Sequence, residues 1–524
     1  MLTHNVHFEK RCLVSWASAL QLFGTLPDHA DCLKFKSLEV LFVERLARWS
    51  PLFPTNPLVS LVNLGTIQLN SVYPQALPVL AVLRIDPLTI VVTAMSARVP
   101  RNIDSNRRAT ALNCSVSRLA LDSASQITSV FLSKSTVHPN VFRNRIKRIE
   151  GKVNPGDWVA VYSLDADTGS TQLVGYGLYN PKSEIALRII RWGEILPDNH
   201  YWDALIDRAV QMRRDQLALD KVTDCYRVIH GEADGVPGIV VDRYGDTLSA
   251  EVFSHSMDQR AEEIIQRLAS KIATRHWLIQ PSPQFTSQEG FTAQSRASTD
   301  LPTQVIVQEH GTRFRIHFDS GHKTGFFCDQ RENRFRLAEF CRGKNVLDVC
   351  CYTGGFSVQA ARLGGAAEVT GIDLDEQPLR IAKQNAAINN VKVRFVQAEA
   401  FGYMRDMLRQ GKRYDVVVLD PPKLIRNRAE IEEGTRKHFD LNRLAMQLVN
   451  PGGLLLTCSC AGLLEANDFE RLVRSAARSA IAAQDAQSAP RVVQTLLRTG
   501  AASCHPVSVN CPETEYLKAI WLRM

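Results

Sequence analysis

The chain has 524 residues, 45% of them hydrophobic, with 62 Lys+Arg against 54 Asp+Glu and a formal net charge of +8. That length suits roughly three or four domains of about 150 residues, and the mild basic excess permits a nucleic-acid partner without demanding one. Twelve cysteines without a C-x-x-C spacing exclude a disulfide framework and point to reduced thiols in a cytoplasmic enzyme, and no long apolar run is free of charge, Ala76 to Ala97 being interrupted by Arg84 and Asp86.

Residues 1–125 hold neither a helical nor a strand period, and Arg98 to Arg108 is basic and polar like a linker. They read as a poorly ordered N-terminal extension, or as an early start, with no part in the chemistry. The N-terminus lacks the charge, apolar run and cleavage site of a signal peptide.

From Ile127 the texture changes. Strands are predicted at Ile127–Ser133, Trp158–Tyr162, Leu173–Leu178 and Ile185–Ile190, with a turn at Asn154-Pro155-Gly156-Asp157. They describe a small β-barrel over residues 126–195. Arg143, Arg145, Lys147 and Arg148 cluster there with Phe142. Such a mix can follow a phosphate backbone and stack on a base, although taken alone it also describes a solvated face. Over residues 196–300 the pattern is α+β. Helices are predicted at His200–Leu219 and Gln259–Ala273, with strands at Tyr226–Ile229, Ile239–Asp242 and Thr247–Phe253.

Residues 301–524 open with a predicted hairpin, Thr303–His310 and Thr312–Phe318, then a polar segment, Gly321 to Arg334, and a helix at Arg331–Phe340. Strands and helices then alternate, which predicts a doubly wound parallel sheet. The clearest unit runs from Lys344 to Asp373: a strand ending at Asp348-Val349, the turn Tyr352-Thr353-Gly354-Gly355, a helix from Phe356, and a second strand closed by Asp373. A carboxylate there can accept from two vicinal ribose hydroxyls. The unit could hold a dinucleotide or S-adenosylmethionine (SAM). The turn is not G-x-G-x-x-G, and Asp348 would repel a pyrophosphate but suit the ammonium of SAM. Asp348, Asp373, Glu399, Asp420 and Cys460 all stand at predicted strand ends, where such sheets bind ligands.

The stretches G-H-K-T-G-F-F-C-D-Q-R, Y-T-G-G-F, D-P-P-K, C-S-C-A-G and E-Y-L-K, with the block Glu232 to Gly245, give the chain a family likeness. From about Ile127 to Met524 it resembles the PUA-domain-linked, SAM-dependent methyltransferases that make 5-methylcytosine in 23S ribosomal RNA. It departs from them in its N-terminal extension, in Glu399 where relatives often have Asp, and in Cys458, where an apolar residue is expected.

The resemblance implies a PUA barrel, a linking α+β domain and a class I Rossmann-like methyltransferase domain. It also implies SAM as cofactor and large-subunit ribosomal RNA as partner, with no membrane; a homodimer is compatible with it. The implied catalytic residues are Cys460 as nucleophile, with Asp420 and Lys423, the latter as electrostatic help for the thiolate. The implied cofactor residues are Asp348, Tyr352, Thr353, Gly354, Gly355, Phe356, Asp373, Glu399 and Asp420. Gln330 and Arg331, with Asn333, would support the methionine end or the base. The basic stretch Arg143, Arg145, Lys147 and Arg148 would meet RNA. No metal is needed, and no zinc spacing is present. Two other readings stay open: methylation of another base atom, such as a guanine nitrogen, and a SAM-binding ribosome assembly factor.

Overall fold

The computed structural model describes residues 82–86, 89–93, 117–123, 127–165, 167–318, 325–482 and 492–524. Most of the extension expected to be poorly ordered lies outside them, as do Gly321 to Thr324. Strands β1 (Val82–Asp86) and β2 (Thr89–Thr93) form an antiparallel pair in register Val82↔Thr93. Residues 117–123 belong to the folded body that follows. Leu119 is fully buried, its carbonyl accepts from Trp202 Nε1 (2.7 Å), and Ser117 Oγ donates to Glu263 (2.7 Å). The boundary expected near residue 125 therefore falls too late. Seven residues of irregular chain carry no period to read, and one apolar side chain decides where packing begins.

The barrel comprises β3 (Thr128–Leu132), β4 (Asn140–Val141), β5 (Ile146–Glu150), β6 (Trp158–Leu164), β7 (Thr171–Tyr179) and β8 (Leu187–Trp192). Their order is β4-β8-β7-β6-β3-β5. Val130, Leu132, Val159, Val161, Leu187 and Ile189 fill it, while edge strand β5 is almost wholly exposed.

The second sheet is built from β9 (Cys225–His230), β10 (Ile239–Tyr244), β11 (Thr247–Val252), β12 (His276–Pro281) and β13 (Arg296–Ala297). Helices α1 (Asn199–Gln211) and α2 (Ala261–Ile272) lay Trp202, Ile206, Ile264 and Leu268 on it. Strand β12 and helix α3 (Pro283–Glu289) have too little apolar alternation to be read from sequence. The hairpin β14 (Gln304–Glu309) and β15 (Thr312–His317) packs Val307, Phe314 and Ile316 against Cys225 and Tyr244 of that sheet.

After α4 (Arg331–Ala338) come β16 (Asn345–Val349), α5 (Gly355–Arg362), β17 (Glu368–Asp373), α6 (Glu376–Ile388), β18 (Arg394–Gln397) and α7 (Ala400–Arg409). They are followed by β19 (Tyr414–Leu419), α8 (Ile431–Leu448), β20 (Val449–Ser459), α9 (Ala466–Ala482), β21 (Gln494–Thr499) and β22 (Lys518–Arg523). The order is β18-β17-β16-β19-β20-β22-β21. The first five are parallel, but β22 is antiparallel to both β20 and β21, so the expected parallel sheet is mixed. After α9 the chain lays β21 at the far edge and returns through a loop, and a strand entering without a crossover helix must run backwards. The direction of winding reverses between β16 and β19, the place where open α/β sheets bind ligands. No helix among the described residues is long and apolar enough to cross a membrane.

Candidate active site

The turn after β16 bends through left-handed backbone. Cys350 (φ 64°), Tyr352 (φ 50°) and Gly354 (φ 77°) are all left-handed, a conformation that costs a non-glycine residue about 1–2 kcal/mol. Local bonds hold it. Tyr352 N donates to Asp373 Oδ2 (2.8 Å), Cys351 N to Ile372 O (2.9 Å), Gly354 N to Cys351 O (2.8 Å), and Asn385 Nδ2 to Thr353 O (2.9 Å). A Cβ on Gly354 would stand 3.0 Å from Phe395 Cζ and 3.1 Å from Ala382 Cβ, so a side chain there would add crowding to a left-handed φ, and glycine avoids both. Gly355 opens α5 against Arg334, whose Cδ would lie 3.0 Å from an added Cβ. Phe356, expected to touch the cofactor, is 6% exposed and packs on Leu337, Val346 and Val369. It supports the turn from the core side.

Three carboxylates converge beside this turn. Asp348 is buried, and its Oδ2 accepts from Ser357 N (2.9 Å) and Ser357 Oγ (2.6 Å). Burial pushes its pKa up to about 7. Asp420, at the end of β19, accepts from Gln330 Nε2 (3.1 Å). Burial, then the charges of Asp329 and Asp348, push its pKa up to about 7 as well. Asp329 is buried and accepts from the Tyr516 hydroxyl (2.6 Å).

Asp348 Oδ1, Asp329 Oδ1 and Thr353 Oγ1 are buried without a partner among the described residues. Buried polar atoms normally have partners. A pocket of buried acids with orphaned oxygens fits a cationic ligand bearing N–H donors. The ammonium and sulfonium of SAM meet that description.

Asp373 and Glu399 stand at the next two strand ends. Asp373 accepts one backbone N–H on each oxygen, from Tyr352 (2.8 Å) and Asp375 (3.1 Å). Glu399 is exposed and caps α7, taking Phe401 N (3.0 Å) and Gly402 N (2.7 Å). A carboxylate offers about four lone-pair sites, so both keep capacity toward a ligand. Glu399 is nevertheless an N-cap first, a role the sequence reading did not give it.

Arg331 turns away from the pocket. It donates to Cys225 O (3.5 Å) at the start of β9, to Cys504 Sγ (3.3 Å) and to Glu332 Oε1 (2.8 Å), so its donors tie α4 to β9 and to the loop holding Cys504. Its neighbour Asn333 does the orienting. Asn333 Nδ2 donates to Gln330 Oε1 (2.7 Å), which leaves the Gln330 amide N–H for Asp420.

The thiol side is assembled from β20 and β22. Cys458 is fully buried opposite Ala519 and packs with Leu456 and Trp521. Burial, then Asp420, pushes its thiol pKa well up. Cys460, two positions on, is only half-buried. Lys518 sits across from Ser459 and is 7% exposed, with Nζ donating to Ala461 O (2.6 Å) and Tyr516 O (2.9 Å). Burial lowers its pKa to about 8, while Cys460 acts to raise it and Lys423 to lower it. Lys423 is exposed. Lys518, the last residue of E-Y-L-K, is thus a buried lysine within electrostatic reach of the thiol, and the sequence alone assigns it no role. His438 is buried beneath this strand end with Nε2 3.3 Å from Ser459 Oγ, and burial lowers its pKa to about 4.

The basic stretch lies at the exposed barrel edge. Arg143 donates to Ser183 O (2.9 Å) near Glu184 (3.7 Å), and Arg145 to Lys134 O (3.4 Å). Arg148 pairs with Glu150 (3.1 Å) and lies over Phe131 (4.1 Å). Lys147 is exposed on β5.

Residues 271–486 match the family described as S-adenosylmethionine-dependent methyltransferase, and residues 136–192 match a PUA-like domain. The ribosomal RNA large subunit methyltransferase I of Shewanella frigidimarina is 36% identical over 394 residues, 74% of this chain and 95% of the relative. Among solved structures, a Streptococcus mutans protein described as a SAM-dependent methyltransferase superposes with a TM-score of 0.61 at 19% identity, covering 76% of this chain and all of its own (100%). Another, described as a methyltransferase complexed with SAH, gives 0.61 at 20% identity, covering 76% and 99%. The glycine turn, the acidic pocket, the barrel ahead of them and these likenesses agree: this chain is a member of the ribosomal RNA large subunit methyltransferase I family, whose cofactor is SAM.

Proposed function

We propose that this chain methylates carbon 5 of a cytosine in large-subunit ribosomal RNA, in the cytoplasm, with Cys460 as a transient covalent nucleophile. The observation that carries this reading is a half-buried thiol at the end of β20 beside a buried lysine. Carbon 5 of cytosine is a weak nucleophile. A thiolate adding to carbon 6 pushes electron density onto it, so one difficult step becomes two easier ones. An ordinary thiol, with a pKa of about 8.5, is only a few per cent thiolate at neutral pH.

Lys518 supplies the remedy. A neutral amine has two N–H groups and one lone pair, and two carbonyls already face its donors. The lone pair is left for the Cys460 proton, and the resulting ammonium then stands beside the thiolate. Bound SAM supplies the electrophilic methyl group. Carbon 5 must afterwards lose its proton. Asp420, with a pKa near 7, is matched to accept it at neutral pH. The sulfur–carbon bond then breaks, Cys460 leaves as thiolate, and the ring regains its double bond. Gln330 holds Asp420 in place meanwhile.

In this reading residues 126–195 hold RNA, 196–300 link, and 301–524 carry the chemistry. Arg143, Arg145, Lys147 and Arg148 meet phosphates, and Phe142, 51% exposed, stacks on a base. RNA containing 5-fluorocytosine tests the chemistry, because the fluorine cannot leave as a proton does. Wild type should give a protein–RNA adduct that survives denaturation, and Cys460→Ser none. Methylation of ordinary RNA with no adduct on the fluorinated one would move the reaction to another base atom.

A further inference from the structure

Away from the methyltransferase pocket, three side chains from distant parts of the chain point their ligand atoms at one another. His138 precedes β4 in the barrel; Cys511 and Glu513 lie in the loop that leads to β22. His138 Nε2 is 3.2 Å from Glu513 Oε2, and Cys511 Sγ is 3.5 Å from the same oxygen. All three ligand atoms lie within 4.8 Å of one another. In tetrahedral zinc sites the metal stands about 2.0–2.3 Å from nitrogen, oxygen and sulfur, which puts neighbouring ligand atoms roughly 3.3–3.7 Å apart. The two contacts to Glu513 are close to such edges.

The surroundings suit a cation. His138 Nδ1 accepts from Asn140 N (3.0 Å) and also lies 3.1 Å from Asn140 O, so the Asn140 backbone holds the ring from behind and Nε2 faces Glu513. When the imidazole proton sits on Nδ1, Asn140 O takes it and the Nε2 lone pair is turned toward Cys511 and Glu513. Metal-bound histidines are oriented by this kind of outer hydrogen bond. Glu232 stands behind, accepting from Asn140 Nδ2 (3.1 Å), and adds negative charge. A thiolate and a carboxylate together neutralise one dication.

We propose that His138, Cys511 and Glu513 bind a divalent transition-metal ion, zinc by ligand type, with water completing the shell. Binding displaces one proton, from Cys511 to solvent, and shifts the imidazole proton to Nδ1 without loss. The ion fastens the barrel to the segment that runs on to Tyr516, which bonds Asp329, and to Lys518, beside Cys460. It is a tie between the RNA-facing barrel and the strand bearing the catalytic lysine, and the methyl transfer itself does not need it. His138 and Glu513 stand 375 positions apart, so no local spacing could have shown them together.

Cobalt(II) and zinc titrations of the full-length protein test this. Wild type should take up about one ion per chain and show a thiolate-to-cobalt charge-transfer band in the near ultraviolet. Zinc should raise its melting temperature, because a ligand that binds only the folded state stabilises it. Cys511→Ser should lose the band and the zinc shift, while Cys460→Ser keeps both. Glu513 is exposed, so Glu513→Gln serves as the second variant if Cys511→Ser folds poorly; it should weaken zinc binding at least tenfold. Equal uptake by wild type and Glu513→Gln, or a cobalt spectrum without a thiolate band, would overturn the proposal and leave the three groups as a hydrogen-bonded cluster.

Discussion

The cofactor side and the thiol side of the site are built in opposite ways. The cofactor side is mostly local: β16, its turn, α5 and β17 are consecutive, and the bonds that hold the left-handed turn come from Asp373, Ile372 and Cys351, with one more from Asn385 of the following helix α6. The thiol side is remote. Cys460 ends β20, whereas Lys518 reaches it from β22, with its Nζ bonding Ala461 57 positions away. A short stretch of chain can shape a pocket for one fixed small molecule. Setting a thiol, a base and a carboxylate against a target base needs three strand ends at once, and strand order decides which side chains meet.

The largest effect should come from the thiol side. Cys460→Ser should abolish methylation and leave SAM affinity by calorimetry nearly intact, because a hydroxyl cannot supply the anion. Cys458→Ser should retain turnover but lose stability, by about 1–3 kcal/mol for an unpaired hydroxyl in an apolar site. If single-turnover assays find Cys458→Ser dead and Cys460→Ser active, the nucleophile lies two residues upstream.

Lys518→Met comes next, with an expected loss of about 10²–10⁴-fold in turnover, the usual span for a positioned acid–base group. The wild-type rate should climb as pH rises through about 8, where Lys518 becomes the free amine, and the variant should lose that limb. Lys423→Met should cost much less, since Lys423 is exposed. A larger loss at Lys423 in the pH–rate profile would reverse the assignment.

The cofactor side should respond to pH in a predictable sense. Asp348 and Asp420 have pKa values near 7, above the ordinary aspartate value of about 3.9. A cationic ligand favours their charged forms, so SAM affinity should fall as pH drops through 7, and Asp348→Asn should flatten that dependence. Without SAM the sign is opposite. Between about pH 4 and 7 the folded state binds more protons than the unfolded one, so stability should rise as pH falls through that window. Calorimetry and thermal melts across it separate the two trends. A SAM affinity indifferent to pH would remove Asp348 and Asp420 from the cofactor's ammonium and sulfonium.

Truncation should give the smallest effect on chemistry and a clear one on stability. A chain beginning at residue 114 keeps Leu119 under Trp202. One beginning at Ser125 loses it and should be destabilised by about 2–5 kcal/mol, the range for emptying a buried leucine site. Equal melting temperatures for the two would show that residues 117–123 contribute nothing to the core.

Sequence alone determined the β16–α5–β17 unit with its glycine turn, and the acids and thiol at the strand ends. The reason is that strand, turn and helix signals act within a few residues, and most of the bonds that hold this turn close within the same stretch. Tertiary structure decided everything that depends on which distant segments touch. It turned Arg331 toward Cys225 and Cys504, put Phe356 in the core, made Glu399 a helix cap, and reversed β22 so that the buried Lys518 comes within electrostatic reach of Cys460. A side chain's residue type says what it can do, but its partner is set by sheet order and register, which arise from the packing of the whole chain.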